Sequence, residues 1–192
     1  MDRPRQDRLS RAAATVIIDL MTDTPRLDGE DGWEPLPRYN EARTAETYVS
    51  GEPGGRRLRI RYFRRTSDEA LTARVWFGPG SQGPPGHAHG GATAALLDEA
   101  MGFCCWMVGH RVVAAHIEID FRRMVPVGAV TTVEAAVERV EGRKVFPRAR
   151  LLLPGGAVAA ESTGIFLELA ADQLELLAGQ AEAAGMDTEA FA

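Results

Sequence analysis

The feature that most constrains this fold is a 17-residue segment, Ala92–Val108, that is apolar nearly all the way round a helical projection. Only Asp98 and Glu99 carry charge within it. A helix with apolar residues on every side must be buried on most of its surface. The rest of the chain therefore has to cover this helix, which we expect to end at Gly109-His110.

Strand-like runs stand on both sides of the helical segment. Before it, Leu58, Ile60 and Tyr62 alternate with arginines, and a second alternating run covers Leu71–Phe77. Four runs follow the helix: Val112–Phe121, Val130–Val140, Lys144–Leu153 and Ala157–Leu169. Compact turns at residues 141–143 and 154–156 predict hairpins between the last three. We therefore predict an α+β fold in which one long helix covers a sheet of six antiparallel strands. With a single covering helix, the sheet should keep an open edge for dimerisation.

The flanking regions predict additional helices. Arg8–Met21 has helical apolar spacing, and residues 22–55 are rich in Pro, Gly and acidic residues, as in an extended arm with one short helix near Ala42–Tyr48. Asp172–Ala184 predicts a C-terminal surface helix. We divide the chain into an N-terminal helix and arm at 1–55, the main domain at 56–170, and a C-terminal helix and tail at 171–192.

Composition excludes several classes of protein. The net charge of −5 argues against a nucleic-acid partner, which usually meets a basic surface. No run of 18 apolar residues predicts a membrane span. Cys104 and Cys105 are adjacent and would form only a strained disulfide, so we expect free thiols and a cytoplasmic location.

The segment Gly83–Ala100 carries the chemistry. Gly90 and Gly91 stand where the helix begins, so the free N–H groups of its first turn and its dipole should point out of that end. Such a helix end can stabilise an oxygen that becomes negative, for example a carbonyl under attack.

Asp98 is the charged residue most in need of explanation, because a carboxylate buried in an apolar helix is costly unless it is paired or used. It follows Gly91 by seven residues, about two turns, and so lies on the same face roughly 10 Å away along the axis. That distance favours a site shared between the antiparallel helices of two chains. An ion pair with Arg122 or Arg123 is the structural alternative. Glu99 is the alternative carboxylate, and the helical turn should point it elsewhere.

Two histidines flank Ala88. We interpret His87 as a loop residue that bonds to the backbone, whereas His89 has a positioning or hydrogen-bonding role in the site. A metal would need further ligands at suitable spacing, and the sequence shows no third candidate, so we predict neither metal nor organic cofactor.

The motif G-P-x-S-x-G-P-P-G-x-x-H-G-G-A followed by L-L-D resembles the hotdog-fold acyl-CoA thioesterases, both the PaaI-like group and the relatives of human long-chain enzymes. The resemblance runs from about Leu71 to Leu169. Later segments that fit it are I-E-I-D-F-R-R-M-V-P at Ile117–Pro126 and V-E-G-R-K at Val140–Lys144.

The resemblance implies a homodimer or homotetramer with active sites between subunits, and hydrolysis of a fatty acyl-CoA. The Gly91 N–H, beside His89 and Gly90, would polarise the thioester carbonyl, and Asp98 would act as general base or nucleophile. Residues near the CoA phosphates would be Arg122, Arg123, Gly142, Arg143 and Lys144, although a solvated turn is the plain alternative for this set. Phe103 and Trp106 would line an acyl tunnel or simply belong to the core.

One position departs from the family pattern. Close members often carry Thr or Ser on the strand after the helix, where this chain has Ala114. His116 or Thr93 could compensate for the missing hydroxyl. The missing hydroxyl also motivates one alternative function, a non-catalytic acyl-CoA-binding protein. A second alternative is a hotdog hydratase or dehydratase, which would use His89 and Glu99.

Overall fold

The apolar segment forms a long helix, α1, at Gly90–Met107 in the computed structural model, which describes residues 25–36, 48–50 and 54–183. Its most deeply buried residues recur every three to four positions and are at most 1% exposed: Leu96, Leu97, Ala100, Met101, Cys104 and Cys105. This face packs against β3 to β7, the strands defined next. Burying each large apolar side chain contributes about 1.5–3 kcal/mol, so the helix is held mainly by the sheet that surrounds it.

Within the described ranges the sheet has seven strands, one more than predicted. They are β1 at Trp33–Pro35, β2 at Leu58–Arg65, β3 at Leu71–Phe77, β4 at Val112–Phe121, β5 at Val130–Glu141, β6 at Lys144–Leu152 and β7 at Val158–Glu168. All neighbouring strands are antiparallel, in the order β1-β2-β3-β5-β6-β7-β4. The predicted architecture of one long helix against an antiparallel sheet is confirmed.

The extra strand β1 lies in the segment predicted as an extended arm. It pairs with the end of β2, where Trp33 is opposite Arg65 and Pro35 is opposite Phe63. The Trp33 ring packs against Phe63 with their centroids 5.6 Å apart. Three residues are too few to show an alternating pattern, and a proline inside them argues against a strand except at a sheet edge, where β1 lies.

Alternation along the strands shows which sheet face is covered. In β6, Val145, Pro147, Ala149 and Leu151 are buried, and the residues between them are exposed or half-buried. The turns on either side of β6 allow this register because Gly142 and the Gly155-Gly156 pair adopt positive φ, which suits tight hairpins.

Strand β4 follows α1 in the chain but lies at the far edge of the sheet, beside β7. Most of it is exposed, including the apolar side chains of Val113 and Phe121. Its pairing with β7 shifts register between Ala114 and His116, which leaves Ala115 without an opposite residue. A ten-residue open edge with apolar side chains is a surface that proteins usually cover.

The ends of the chain are described only in part. The C-terminal helix, α2, spans Ala171–Ala183. The helix predicted at Arg8–Met21 lies outside the described residues, as does nearly all of the one predicted near Ala42–Tyr48, and Tyr48 itself lies in a turn. None of the described helices is long and apolar enough to cross a membrane.

Candidate active site

The N-terminus of α1 is built around His89. His89 is the N-cap, and its ring Nδ1 accepts a hydrogen bond of 2.9 Å from the Gly91 N–H. Its own backbone N–H donates to the Ser81 carbonyl at 2.7 Å. A Cβ at Gly83 would lie 2.8 Å from the His89 Cα, so this loop position accepts only glycine without displacement.

The Gly91 N–H therefore already has an acceptor within the chain. A carbonyl oxygen can bind this N–H only if the His89 ring shares it or moves away. When no other acceptor is bound to the Gly91 N–H, the His89 ring satisfies it and keeps it directed out of the helix end. The other histidine of the motif, His87, bonds through Nδ1 to the Pro85 carbonyl at 3.0 Å, as expected of a loop residue.

Asp98 lies half-buried on the face of α1 that the sheet leaves open. Among the described residues, no donor or cation pairs with its carboxylate, and burial alone raises its pKa. The proposed ion-pair partners are engaged elsewhere. Arg122 pairs with Asp120 and Glu161, and Arg123 donates to the Val158 carbonyl. With respect to the residues that the structure describes, Asp98 is thus an unpaired acid beside a cavity.

Glu99 was expected to point away from Asp98, and this expectation is wrong. Both carboxylates line the same cavity of about 500 Å³. The Tyr62 hydroxyl donates to Glu99 Oε1 at 2.7 Å, and Ser50 donates from its side chain and its backbone. The two residues are about 100° apart around the helix, but the open face is wide enough to include both.

A second cavity, of about 350 Å³, continues along the same face of α1 toward the N-terminus. It is lined by His89 and Gly91, and it shares Tyr48, Val49 and Ala95 with the first. One face of α1 therefore presents the helix N-terminus and the Asp98 carboxylate to adjoining spaces, roughly 10 Å apart along the axis.

The cavity around Asp98 is mainly aromatic and apolar beyond the two acids. Phe103, Trp106 and Phe166 contribute to its wall. Trp106 is held by a hydrogen bond of 3.0 Å from its ring N–H to the Val112 carbonyl. Phe103 and Trp106 both line the cavity and pack against the core. The acyl-tunnel role of these two residues stays a prediction.

Ala114 lines this cavity, so the missing hydroxyl is a feature of the site itself. Thr93 is 3% exposed, lies among the buried residues of α1 and does not line the cavity. His116 is exposed on β4 and does not line it either. Among the described residues, the hydroxyl groups that reach one of the acids are those of Tyr62 and Ser50, and both bond to Glu99. Their separation from α1 in sequence is why the motif did not reveal them.

The five residues predicted near the CoA phosphates do not form one cluster within a chain. The backbone N–H groups of Arg122 and Arg123 donate to Ala159 at the start of β7. Arg143 donates from its guanidinium to the Glu168 carbonyl at the end of β7, 2.8 Å away. The strand between these points spans about 30 Å at about 3.3 Å per residue. Gly142 and Lys144 lie with Arg143 at the hairpin between β5 and β6.

Arg57 is a basic residue that the sequence pattern did not single out. It lines the cavity beside His89 and Gly91, with its guanidinium carbon 5.5 Å from the centre of the Tyr48 ring. The alternating pattern of β2 suggested only a solvated strand face. In the part of the chain that the structure describes, no three His, Cys, Asp or Glu side chains converge to hold a metal ion.

Comparison with known proteins agrees with this architecture. Residues 85–160 match the Thioesterase superfamily profile. Acyl-coenzyme A thioesterase THEM4 of Xenopus laevis is 27% identical over 170 residues, which cover 80% of this chain and 75% of that protein. Acyl-coenzyme A thioesterase THEM5 of Homo sapiens is 30% identical over 162 residues, covering 72% and 64%.

Two solved structures share the fold. A crystal structure of a thioesterase superfamily protein superimposes with a TM-score of 0.59 at 23% identity, covering 88% of this chain and 82% of the other. A Streptococcus mutans UA159 protein bound to acetyl CoA gives a TM-score of 0.51 at 15% identity, covering 53% and 82%. The segment that matches the Thioesterase superfamily profile begins at Pro85, before the N-cap His89, and includes all of α1. The chain therefore has the hotdog fold, and its residues 85–160 carry the pattern of the thioesterase superfamily.

Proposed function

We propose that this protein hydrolyses the thioester of an acyl-CoA, giving the free acid and CoA. The observation that carries the proposal is the unpaired, half-buried Asp98 on the same open face of α1 as the N-terminal Gly91 N–H. The relatives named as acyl-coenzyme A thioesterases and the fold neighbour bound to acetyl CoA support the substrate class.

In this mechanism the thioester carbonyl oxygen takes the place of the His89 ring at the Gly91 N–H. The N–H and the positive end of the helix dipole then stabilise the oxyanion as it forms. Asp98 either removes a proton from the water that attacks the carbonyl carbon, or attacks that carbon itself, and in both cases the CoA thiolate leaves. In the second route the resulting acyl-aspartyl anhydride is cleaved by water, which releases the acid and restores Asp98. Burial favours both roles because it makes the Asp98 carboxylate more basic.

The complete site requires two chains. Gly91 and Asp98 of one chain lie too far apart along α1 to act on one carbonyl. Gly90 lies near Phe121 at the end of β4, whereas Trp106 near the other end of α1 bonds to Val112 at its start. Antiparallel pairing of two β4 edges about a two-fold axis would therefore bring the α1 N-terminus of one chain toward the middle of the other helix.

The same pairing explains the separated basic residues. It would place Arg122 and Arg123 of one chain at the same end of the joined sheet as Arg143 and Lys144 of the second. Arginine and lysine at such a position can bind phosphate groups by charge-assisted hydrogen bonds. We therefore assign the CoA phosphates to a basic region contributed by both chains, with Gly142 allowing the tight turn between β5 and β6.

The aromatic and apolar wall beyond Asp98 fits a hydrophobic acyl group, and we propose a fatty acyl chain. The buried free thiols of Cys104 and Cys105 suit a reducing compartment, and we place the activity in the cytoplasm.

The geometry favours hydrolysis over hydration of an enoyl-CoA. A hydratase would use Glu99 with His89, but Tyr62 and Ser50 already hold the Glu99 carboxylate. The non-catalytic alternative is supported by one observation, the absence of a hydroxyl at Ala114 in the cavity wall.

A thiol-release assay across short, long and aromatic acyl-CoAs separates these functions. We expect cleavage by the wild-type protein and a loss of about 100-fold or more in kcat for Asp98→Asn, because the base or nucleophile is removed. Asp31→Asn, in an exposed turn, is the matched control. Turnover of Asp98→Asn at the wild-type rate would refute the mechanism. Tight acyl-CoA binding without thiol release would favour the binding protein, and water addition to an enoyl-CoA would favour the hydratase.

A further inference from the structure

A short segment of the N-terminal arm, Tyr48–Ser50, forms part of the wall of both cavities on α1. Tyr48 and Val49 line the cavity around Asp98 and also the cavity at the N-terminus of the helix. Val49 is half-buried and packs against the hydrophobic core. An acyl chain that lies in either space therefore meets the same segment of the arm.

The arm segment is fastened to α1 through Glu99. The side chain and the backbone N–H of Ser50 both donate to the Glu99 carboxylate. The Tyr62 hydroxyl donates to Oε1 of the same carboxylate at 2.7 Å. Tyr62 is 5% exposed, and its ring meets Phe103 edge-on with the centroids 4.9 Å apart. The carboxylate that binds Ser50 is therefore itself held in place by a packed donor on β2.

A second contact holds the other end of the segment. The guanidinium carbon of Arg57 lies 5.5 Å from the centre of the Tyr48 ring. The Arg57 stem passes close to Gly80, where a Cβ would lie 3.1 Å from the Arg57 Cγ. The Gly78 N–H fixes the backbone of Arg57 by donating to its carbonyl at 2.7 Å. Val49 thus lies between two neighbours, each of which contacts a positioned side chain.

The position of Glu99 needs an explanation of its own. A carboxylate in a largely apolar wall is costly unless hydrogen bonds replace the lost water. For Glu99 the described hydrogen bonds come from β2 and from the arm, two segments distant from α1 in sequence. A hydrophobic residue would fill the same place at less cost, so the acid is best explained by the segments that it holds together.

We propose that the segment Tyr48–Ser50 determines which acyl groups the site accepts, with Val49 in contact with the acyl chain and Glu99 as the positioning residue that holds the segment on α1. This inference rests on the proposed hydrolysis of acyl-CoA and adds the residues that set its specificity. On the helix side, Ala95 lines both cavities and contributes only a methyl group. The side chain that fills the junction of the two spaces is therefore Val49.

Substitution of Val49 tests the contact with the acyl chain. The measurement is kcat/KM for thiol release across saturated acyl-CoAs from acetyl to palmitoyl. Val49→Phe should lower the value for the longest cleaved substrate by about tenfold or more and that for the shortest by less than about twofold, because only a long chain meets the added ring. Val49→Ala should shift the preference toward long chains. Val108→Phe, at a position that is 52% exposed and lines neither cavity, should keep the wild-type profile.

Hydrogen exchange of the peptide that covers Tyr48–Ser50 tests the attachment of the segment. Ser50→Ala removes one donor to Glu99 and leaves the cavity wall unchanged, since Ser50 does not line either cavity. We expect exchange to become about tenfold faster, because a hydrogen bond to a charged acceptor is lost. The ratio of kcat/KM between long and short substrates should approach one. Ser67→Ala, in the exposed turn between β2 and β3, should change neither quantity.

Two further variants test the role of Glu99. Glu99→Gln keeps an acceptor for Ser50 and Tyr62 and should retain slow exchange and the wild-type profile. The double variant Glu99→Leu with Tyr62→Phe removes both partners of the buried bond, a change that is close to neutral for folding. It should give fast exchange of the arm segment and a flattened chain-length profile.

Three results would overturn the proposal. The first is a Val49→Phe profile that is unchanged or lowered equally for every chain length. The second is unchanged exchange of the arm segment in both Ser50→Ala and the double variant. The third is a folded Glu99→Gln variant that cleaves no substrate, since Glu99 would then take part in the reaction directly.

Failure of the proposed function would look different. If the wild-type protein binds acyl-CoAs without cleaving them, and Val49→Phe weakens the binding of palmitoyl-CoA but not of acetyl-CoA, the assignment of specificity stands and the assigned reaction fails. If the wild-type protein neither cleaves nor binds any of these acyl-CoAs, both fail.

Discussion

Asp98 and Glu99 are neighbours in sequence and share a cavity, yet their surroundings differ. Glu99 accepts hydrogen bonds from Tyr62 and Ser50, whereas no described residue donates to Asp98. Burial raises the pKa of both acids. A partly desolvated acid without hydrogen-bond donors stays available as a base or nucleophile, whereas hydrogen bonds occupy the Glu99 carboxylate. We therefore assign the chemistry to Asp98.

The raised pKa of Asp98 has a consequence for stability. For an acid that binds its proton more tightly in the folded state, the free energy of unfolding falls as the pH rises through the unfolded-state pKa, about 3.9, toward the folded-state value. Asp98→Asn removes the desolvated charge and should raise the Tm by about 1–2 °C near neutral pH. The expected rise is small because Asp98 is only half-buried and water screens part of its charge. The gain should vanish below about pH 4.

Thermal unfolding at pH 7.5 and at pH 4 measures this effect. The exposed variant Asp31→Asn should show no such pH-dependent gain. A lower Tm for Asp98→Asn at neutral pH would mean that Asp98 makes a favourable interaction in the folded protein, and the argument from an unpaired acid would fail.

At the scale of the elements, the two faces of α1 differ in the size of their side chains. The buried face carries large side chains against the sheet, and the open face carries small residues, Ala95 and Gly102, next to the cavity. Glycine inside a helix is destabilising by roughly 0.5–1 kcal/mol relative to alanine. Its presence at position 102 suggests that the space it leaves is used.

Gly102→Ala tests that suggestion. A Cβ at this position would lie 3.7 Å from the Phe166 ring, an ordinary contact, so we expect a gain in stability of about 0.5–1 kcal/mol. The added methyl group narrows the cavity, so activity should decrease most for the longest acyl chains. The measurements are the urea unfolding midpoint and kcat/KM across a series of saturated acyl-CoAs.

Gly179→Ala in α2 is the matched control, because a Cβ there meets no atom within 4 Å. It should give a similar gain in stability with an unchanged chain-length profile. The same profile in both variants would show that the acyl chain does not pass Gly102.

The elements also show what sequence patterns can predict. Alternation and turn residues predicted β2 to β7 and α1 because each is long enough to display its period. Strand β1 is only three residues long and owes its conformation to Phe63 and Arg65 on β2, so no local pattern marks it. Asp98 is predicted as a site residue because it is a carboxylate in an otherwise apolar helix, seven residues past Gly91. The roles of Tyr62 and Ser50 depend on contacts between distant segments, which one sequence without related sequences does not reveal.

At the scale of the whole molecule, the open edge of β4 is the feature that joins the separate parts of the site. Ala115 lies at the irregularity between Ala114 and His116 and has no opposite residue on β7. Because Ala115 has no opposite residue, it can be changed with little effect on the hydrogen bonds between β4 and β7. It is therefore a suitable place to block pairing with a second chain.

Ala115→Pro should prevent association while keeping the fold, because proline on an edge strand removes a donor that a second strand needs. We expect light scattering to give about 42 kDa or a multiple of it for the wild-type protein, from a chain of 20.8 kDa, and 20.8 kDa for the variant. Thiol release should be lost with the dimer. Ala115→Ser, which keeps the N–H, is the control. A fully active monomer would show that one chain contains the whole site.

The most direct test of the central claim is complementation between two inactive variants, measured as thiol release from a fatty acyl-CoA. Gly91→Pro removes the carbonyl-binding N–H at a position where the first helical turn tolerates proline, and Asp98→Asn removes the acid. If Gly91 of one chain acts with Asp98 of the other, each mixed dimer contains one intact site. Random mixing of equal amounts should then restore about a quarter of the wild-type activity, since half of the dimers are mixed. Activity no higher than that of the two variants alone would contradict a site shared between chains.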